Sequence, residues 1–132
     1  YSSLKKSAKL ENDIILNSDI FASNYEKIIK IINSRGAIPI CITQQALFVK
    51  NDKGIDNAFP YKDTYLNGLD LKFSLDLINK KITEICTKEN ALIVNIENNY
   101  FTESDFYDFV HHNPEGSKKL ANLIFNSIEG KL

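Results

Sequence analysis

The stretch AIPICIT, residues 37–43, decides the fold class of this chain. It is a continuous apolar run, which is typical of a β-strand that is covered on both faces. Pro39 removes one backbone donor, but a proline near the start of a strand is tolerated. A second run of the same kind, ALIVNI at residues 91–96, predicts a second buried strand.

Three predicted helices alternate with these strands. In each helix, apolar residues recur with the 3.6-residue period of an amphipathic helix, and start or stop signals mark the ends. Residues 1–17 are polar and lysine-rich, and they predict a loosely specified helix or arm. The signals are an N-cap at Ser18 or Asp19 and a stop at Arg35-Gly36 for the first helix, a start near Asp70 for the second, and Asn113 followed by Pro114 for the third.

The alternation of helices with buried strands predicts an α/β fold with parallel strands. Two strands alone make a narrow sheet with open edges. The chain also begins with Tyr1 and contains no methionine. We therefore expect residues 1–132 to be the C-terminal part of a single domain with a wider, doubly wound sheet, which an N-terminal part of the same domain completes.

The composition excludes several classes of partner. Sixteen basic and 17 acidic residues give a formal net charge of −1, which provides no attraction to nucleic acid or anionic lipid. No apolar stretch of the sequence is long enough for a membrane span. Cys41 lies in the first strand run and Cys86 at the end of a helical stripe. Both are predicted to be buried free thiols, with a disulfide between them as the alternative.

The loop after the second strand holds the densest cluster of titratable residues in the chain. In parallel α/β sheets, ligands bind outside the carboxyl ends of the strands, where this loop begins. Asp108 and His111 are three residues apart, so one turn can place both side chains on the same side. The carboxylate would then accept a hydrogen bond from one ring nitrogen and leave the other nitrogen outward as a general base. The spacing and the position predict a catalytic pair.

The segment YDFVHHNPEGSKKLA, residues 107–121, resembles the closing motif of the SGNH (GDSL-type) hydrolases, in which an Asp-x-x-His pair precedes the last helix. Similarity at the level of pattern covers residues 18–128, and Asn79 resembles a common feature of the family. The resemblance implies a three-layer α/β/α flavodoxin-like fold. It also implies ester hydrolysis through a serine nucleophile, without a cofactor, with Asp108 and His111 as the acid and the base of the triad.

The nucleophile of the family does not map onto this sequence. The sequence has no Gly-Asp-Ser, Ser104 is predicted to lie in a loop, and Ser117 in the first turn of a helix. Asn12-Asp13 resembles the family's Gly-x-Asn-Asp motif only superficially. The resemblance therefore implies that the serine lies upstream and that residues 1–132 alone are inactive. The residues themselves leave the compartment unknown, while the family resemblance favours a location outside the cytoplasm.

Residues 44–68 show no clean periodicity and are predicted to form a long loop without secondary structure, such as a lid or an insertion. Its aromatic residues either line the substrate site or fix the loop to the body of the protein. Gln44 directly follows the first strand and is a candidate for binding a small-molecule or carbohydrate ester. The aromatic residues are Phe48, Phe59, Tyr61 and Tyr65.

Three alternatives stay open. The first is a metal site, since the cluster offers nitrogen and oxygen ligands that suit zinc or manganese, although in no recognised spacing. The second is a non-catalytic module that retains the fold. The third is acyl transfer, which uses the same groups with a hydroxyl acceptor in place of water. The candidate ligands are Glu103, Asp105, Asp108, His111 and His112.

Overall fold

The computed structural model describes residues 5–53, 55–59, 66–96 and 100–131, which form a mixed α/β structure. Tyr61 and Tyr65 of the predicted lid lie outside these residues. The elements in chain order are α1 (Ala8–Ser34), β1 (Ile40–Ile42), β2 (Val49–Asp52), β3 (Ile55–Ala58), α2 (Gly68–Lys88), β4 (Leu92–Val94), a 3₁₀ turn (Glu103–Asp105) and α3 (Pro114–Ile128).

The two apolar runs form a pair of parallel strands, as predicted. Cys41 of β1 lies opposite Ile93 of β4. The pairing continues beyond the strands, because Thr43 donates its backbone N–H to Val94 at 3.1 Å. Each strand is only three residues long, and Ile42 and Ile93 are half-buried within the part of the chain that the structure describes.

One face of the strand pair carries the main core. Cys41 packs there with Ile29 of α1 and with Ile82 and Ile85 of α2. The two helices run side by side and are joined by ion pairs of Lys81 with Asp19 and of Lys88 with Glu26. Burial of these apolar side chains is the principal source of stability in such a core.

The prediction of two free thiols is wrong. Cys41 and Cys86 are fully buried, as expected, but they form a disulfide that joins β1 to α2, with their Cα atoms 6.5 Å apart. The strand and the helical stripe both direct a cysteine into the same core, so the two sulfur atoms meet. A spacing of 45 residues in sequence gives no sign of that meeting.

The third helix packs against β4. Its Leu120 lines a cavity together with Ile42, whose side chain points to the face opposite Cys41 because side chains alternate along a strand. Val94, which is opposite Ile42 in the register, is 1% exposed. The contacts of α3 are therefore with β4 and with the cavity that Ile42 also lines.

The first helix begins ten residues before the predicted N-cap. Ser18 is buried inside α1, and its hydroxyl donates to the carbonyl of Ile15 at 2.7 Å instead of capping a helix start. A serine within a helix satisfies its hydroxyl in this way. The predicted stop is confirmed, since α1 ends at Ser34 and Gly36 adopts a positive φ of 72°.

The second helix is capped by Asn67, three residues before the predicted start at Asp70. The side chain of Asn67 accepts from the backbone N–H of Leu69 and Asp70, while Asp70 accepts in return from the backbone N–H of Asn67. Asp70 is fully buried and also accepts from the backbone N–H of Ser7. This carboxylate therefore fixes the chain before α1 as well as the start of α2.

The prediction that residues 44–68 lack secondary structure is wrong. β2 and β3 form an antiparallel hairpin in which Val49 lies opposite Ala58. Two backbone hydrogen bonds extend the hairpin. The N–H of Phe59 donates to the carbonyl of Phe48, and the N–H of Gly68 donates to the carbonyl of Phe59, each at 2.9 Å. Its strands carry charged and amide residues in irregular order, so they show no alternation of apolar and polar residues.

Candidate active site

The predicted pair lies at the tip of a tight turn in the segment after β4. Phe106 and His112 form an isolated antiparallel bridge, and the backbone N–H of Tyr107 donates to the carbonyl of His111 at 2.8 Å. These contacts join the residues that enter the turn to the residues that leave it. The side chains of Asp108 and His111 therefore emerge from a short, closed loop.

Asp108 organises this turn with both of its oxygen atoms. Its Oδ1 accepts from the backbone N–H groups of Val110 and His111, each at 2.8 Å. Its Oδ2 lies 2.7 Å from Nδ1 of the His111 ring. The prediction that one turn brings these two side chains into contact is confirmed.

The pKa of the Asp108 carboxyl is lowered to about 2, mainly by the hydrogen bond from the His111 ring and then by the backbone N–H groups of Val110 and His111. The carboxylate is therefore ionised at neutral pH and acts only as an acceptor. As a consequence, Nδ1 of His111 carries the proton of the shared hydrogen bond. In the neutral ring this leaves a lone pair on Nε2.

The His111 ring is open to solvent. Its side chain is 76% exposed, and that of Asp108 is 44% exposed. Nε2 makes no hydrogen bond within the described residues. The ring is thus held on one side by a carboxylate and is open on the other, so Nε2 of the neutral ring can accept a proton from solvent or from a bound molecule.

The hairpin after β1 contacts the turn directly behind Asp108. The ring of Phe109 packs against the rings of Phe48 and Phe59, with centroids 6.0 and 4.4 Å apart. The backbone N–H of Leu47 donates to the carbonyl of Phe109 at 2.8 Å. Phe48 and Phe59 therefore fix the loop to the body of the protein, which is the second of the two roles predicted for the aromatic residues.

A second set of contacts joins the start of the turn to α3. Asp105 is 3% exposed, and its Oδ2 accepts from Lys119 at 2.8 Å and from the backbone N–H of Thr102 at 2.8 Å. The bond from Lys119, followed by that from Thr102, lowers the pKa of Asp105. Gly116 lies so close to the backbone of Asp105 that any side chain there would collide with it.

The predicted N-cap of α3 is confirmed and takes part in the same anchor. The side chain of Asn113 accepts from the backbone N–H of Gly116 at 3.0 Å and donates to the carbonyl of Ser104 at 2.7 Å. Its own backbone N–H donates to the carbonyl of Asp105 at 3.0 Å. The helix start and the segment before the turn are therefore one connected unit.

Gln44 lies at the carboxyl end of β1 with an exposed side chain. The side-chain amide of Asn79 in α2 holds its backbone from both sides, since Oδ1 accepts from the N–H of Gln44 at 2.9 Å and Nδ2 donates to its carbonyl at 2.7 Å. Gln44 lines the same cavity as Val110 and His112. The structure therefore brings this predicted substrate-binding residue beside the turn of the pair.

The neighbouring Gln45 connects the two segments that follow the strands. Its amide oxygen accepts from the backbone N–H of Phe101 at 3.1 Å, and its amide nitrogen donates to the carbonyl of the same residue at 3.0 Å. Phe101 is almost fully buried, and its ring packs against that of His112 at a centroid distance of 4.4 Å. The two segments are thus joined by these hydrogen bonds.

The structure does not bring a serine to His111 within the described residues. Ser104 contacts the hydroxyl of Thr102 at 2.8 Å, and Ser117 lies in the first turns of α3. Asn12 is exposed on α1 and does not follow a strand. None of these three residues has the position that the SGNH motifs would require.

The candidate metal ligands are directed to different partners. Glu103 pairs with Lys50 at 2.7 Å, Asp105 with Lys119, and Asp108 with His111. Across residues 5–53, 55–59, 66–96 and 100–131, no group of three or more His, Cys, Asp or Glu side chains is arranged to hold a metal ion. In the same part of the chain, every helix is too short or too polar to cross a bilayer.

Comparisons with protein-family models, with curated proteins and with solved structures find no match to this chain.

Several contacts around the site were not predicted from the sequence. The roles of Asn79, Gln45 and Lys119 depend on partners that lie 14 to 56 residues away. Asn79 is singled out in the sequence only by its resemblance to a common feature of the SGNH family, which does not predict its contact with the Gln44 backbone. The sequence predicts His112 only as a metal ligand, whereas its ring packs against those of Phe101 and Phe106, and these two rings also contact each other.

Proposed function

We propose that this chain supplies the acid and the base of a serine esterase of the SGNH type, with Asp108 as the acid and His111 as the base. The observation that carries the proposal is the 2.7 Å contact between Asp108 Oδ2 and His111 Nδ1, with the opposite edge of the ring open to solvent. In such a site the base takes the proton of a serine hydroxyl as the hydroxyl attacks the ester carbonyl. The ionised carboxylate then stabilises the imidazolium that forms.

The position of the pair supports this role. The turn follows β4, Gln44 follows β1, and both border one cavity at the carboxyl ends of the strands. This is the edge at which ligands bind in parallel α/β sheets. The Asp-x-x-His spacing before α3 is also the part of the sequence that resembles the SGNH hydrolases most specifically.

The nucleophile comes from polypeptide outside the described residues. In the pairing of β1 with β4, the backbone N–H and C=O groups of Ile40 and Ile42 point away from β4. Within the described residues no strand pairs with that edge. A further parallel strand at this edge would widen the sheet toward a three-layer flavodoxin-like fold, and its carboxyl end would lie beside Gln44 and the turn. The serine and the donors for the oxyanion belong to such added segments.

Kinetics on the full-length protein test this proposal. Hydrolysis of p-nitrophenyl acetate and butyrate is measured for the wild type and for His111→Ala, which we expect to lower kcat by about three to six orders of magnitude. Ser104→Ala and Ser117→Ala are the matched controls and retain wild-type kcat. A His111→Ala variant within tenfold of the wild type, or loss of turnover in Ser104→Ala, would contradict the proposal.

A polypeptide limited to residues 1–132 provides a complementary measurement. It carries the pair without the proposed serine, so we expect it to give no turnover above buffer with either ester. Turnover by this polypeptide that depends on His111 would place the nucleophile within it and overturn the assignment.

A further inference from the structure

The first helix carries apolar side chains on a second face, which the described residues leave uncovered. Four large side chains of this face are each between 52% and 60% exposed. In α2, by contrast, every large apolar side chain is buried or half-buried. A contiguous exposed apolar patch is typical of an interaction surface. This surface, the outer face of α1, is formed by Leu16, Ile20, Ile28 and Ile31.

The helical spacing joins the four side chains into one surface. Leu16 and Ile20 are four residues apart, and Ile28 and Ile31 are three residues apart, so each pair occupies adjacent turns. Ile20 and Ile31 are separated by eleven residues, which correspond to about three turns of 3.6 residues each. The two pairs therefore lie along the same side of α1.

The outer face is separate from the contacts that α1 already makes. Asp19 and Glu26 form ion pairs with lysines of α2, and Ile29 packs in the core with Cys41. The centre of the outer face is turned by about a third of a turn from each of these two directions. Neither contact therefore uses the outer face.

The arrangement of the outer face fits a second copy of the same helix. In an antiparallel pair of α1 helices, the Leu16–Ile20 end of one copy lies beside the Ile28–Ile31 end of the other. Each apolar pair then meets an apolar pair in both copies, as the twofold symmetry of a dimer requires. Antiparallel packing also places opposite ends of the two helix dipoles side by side.

Charged residues at the two ends of the outer face match this orientation. Asp13 precedes Leu16 by three residues and Arg35 follows Ile31 by four, so an antiparallel pair brings the two exposed charges together. A parallel pair would place like charges side by side, which disfavours association. The ion pairs of α1 within the described residues use other side chains, those of Glu11, Asp19, Glu26 and Lys30.

The size of the outer face indicates a reversible dimer. Its four side chains extend over about 22 Å of helix, and a helix pair of this length is at the low end of the area of about 1,200–2,000 Å² that stable interfaces bury. Lys27 lies between the two apolar pairs, where its aliphatic stem can cover the other copy while its ammonium reaches water. The copies should therefore associate at micromolar concentration and separate on dilution.

We propose that the outer face of α1 is the interface of a symmetric dimer, in which α1 packs antiparallel against α1 of a second copy. The two apolar pairs contact each other, and Asp13 of each copy pairs with Arg35 of the other. The dimer does not depend on the proposed esterase function, since the turn of Asp108 and His111 takes no part in it.

Sedimentation equilibrium of the full-length protein tests the dimer. From about 1 to 100 μM, the mass of the wild type should rise from that of one copy toward that of two. Ile20→Lys places a charge in the interface and should weaken dimerisation by at least about a hundredfold. Phe125→Lys, at a similarly exposed site on α3, is the control and retains it. A wild type that stays monomeric, or equal dimerisation by wild type and Ile20→Lys, overturns the inference.

Exchange of the two charges tests the antiparallel orientation. Asp13→Arg and Arg35→Asp should each weaken dimerisation by about tenfold, because the pair occurs twice in a symmetric dimer. The double variant, Asp13→Arg with Arg35→Asp, restores opposite charges and should dimerise within about threefold of the wild type. A double variant that dimerises more weakly than either single variant contradicts the pairing.

Cross-linking of two cysteine variants gives an independent measure of the orientation. Leu16→Cys and Ile31→Cys are mixed and treated with a short bismaleimide, and the mixture should give a cross-linked dimer. Each variant alone should give none, since equivalent positions in the two copies lie about 22 Å apart along the helices. Cross-linking of Leu16→Cys alone that equals that of the mixture overturns the inference.

Discussion

The chain leaves β1 after Ile42 and β4 after Val94, and the two segments that follow are held by different kinds of contact. After β4, Asp108 binds backbone and ring groups no more than three residues away. After β1, Gln44 is held by Asn79, which lies 35 residues away in sequence. The first segment thus shapes its own turn, whereas the second depends on the fold around it.

The difference extends to solvent exposure. The two side chains with proposed chemistry, those of Asp108 and His111, are exposed at the tip of the turn. The side chains that support them, Phe101 and Asp105, are almost fully buried. Reactive groups in this arrangement are accessible to a substrate, while the packed residues behind them fix their position.

The largest effect is expected from removal of the negative charge of Asp108 at the tip of the turn. Asp108→Asn keeps the shape of the side chain but no longer stabilises the imidazolium, so kcat for p-nitrophenyl butyrate should fall by about four orders of magnitude. Glu103→Gln, an exposed carboxylate nearby, is the control and should retain wild-type kcat. A loss of less than tenfold in Asp108→Asn would remove the functional distinction between the two segments.

The next effect concerns β1, the strand that precedes the segment held by Asn79. The disulfide closes a loop with a sequence separation of 45 residues. Replacement of Cys41 and Cys86 by alanine should lower the free energy of unfolding by about 2–4 kcal/mol, as measured in urea. Two free thiols per unreduced, denatured chain in a thiol assay would contradict the structure.

The contact between the two segments is probed at Phe109. Phe109→Ala removes the ring that packs against Phe48 and Phe59, and we expect it to lower the free energy of unfolding by about 1.5–3 kcal/mol. Because the turn loses this support, kcat should fall more than KM rises. Tyr107→Ala, at an exposed site two residues away, is the matched control for stability.

Asn79 tests the claim that the segment after β1 depends on a distant partner. Asn79→Ala deletes both hydrogen bonds to the Gln44 backbone and should cost about 1–2 kcal/mol in thermal or urea unfolding. Asn24→Ala, on the exposed face of α1, should change stability by less than about 0.5 kcal/mol. Equal values for the two variants would show that Gln44 does not require Asn79.

The smallest expected effect is the pH dependence of the stabilisation that the Asp108 carboxylate gives to its turn. The hydrogen bonds to Asp108 lower its pKa from 3.8 to about 2. The stabilisation they give is therefore complete above pH 4 and is lost as the pH falls through about 2. A titration of the Asp108 carboxyl carbon by NMR should give a midpoint near 2, and a midpoint near 4 would contradict the observed hydrogen bonds.

The same comparison explains how much could be predicted from sequence. The contact of Asp108 with His111 was predictable because its partners are three residues apart, as was the Asn113 cap of α3. The two parallel strands followed from their apolar runs. The hairpin β2–β3 was missed because it lacks the expected apolar alternation. The helix predicted as one alternative for residues 1–17 is present from Ala8 onward, but its continuity with the following helix was missed because Ser18 and Asp19 are typical N-cap residues. The disulfide and the contacts of Asn79 and Gln45 join distant residues, which one sequence does not relate.

The most direct measurement of the central claim is the labelling of the full-length protein with a fluorophosphonate, followed by mass spectrometry of its peptides. A base that activates a serine should lead to phosphonylation of one serine outside residues 1–132. The labelling rate should fall at least about a thousandfold in His111→Ala and remain unchanged in Ser104→Ala. An absence of labelling, or an equal labelling rate in wild type and His111→Ala, would contradict the account.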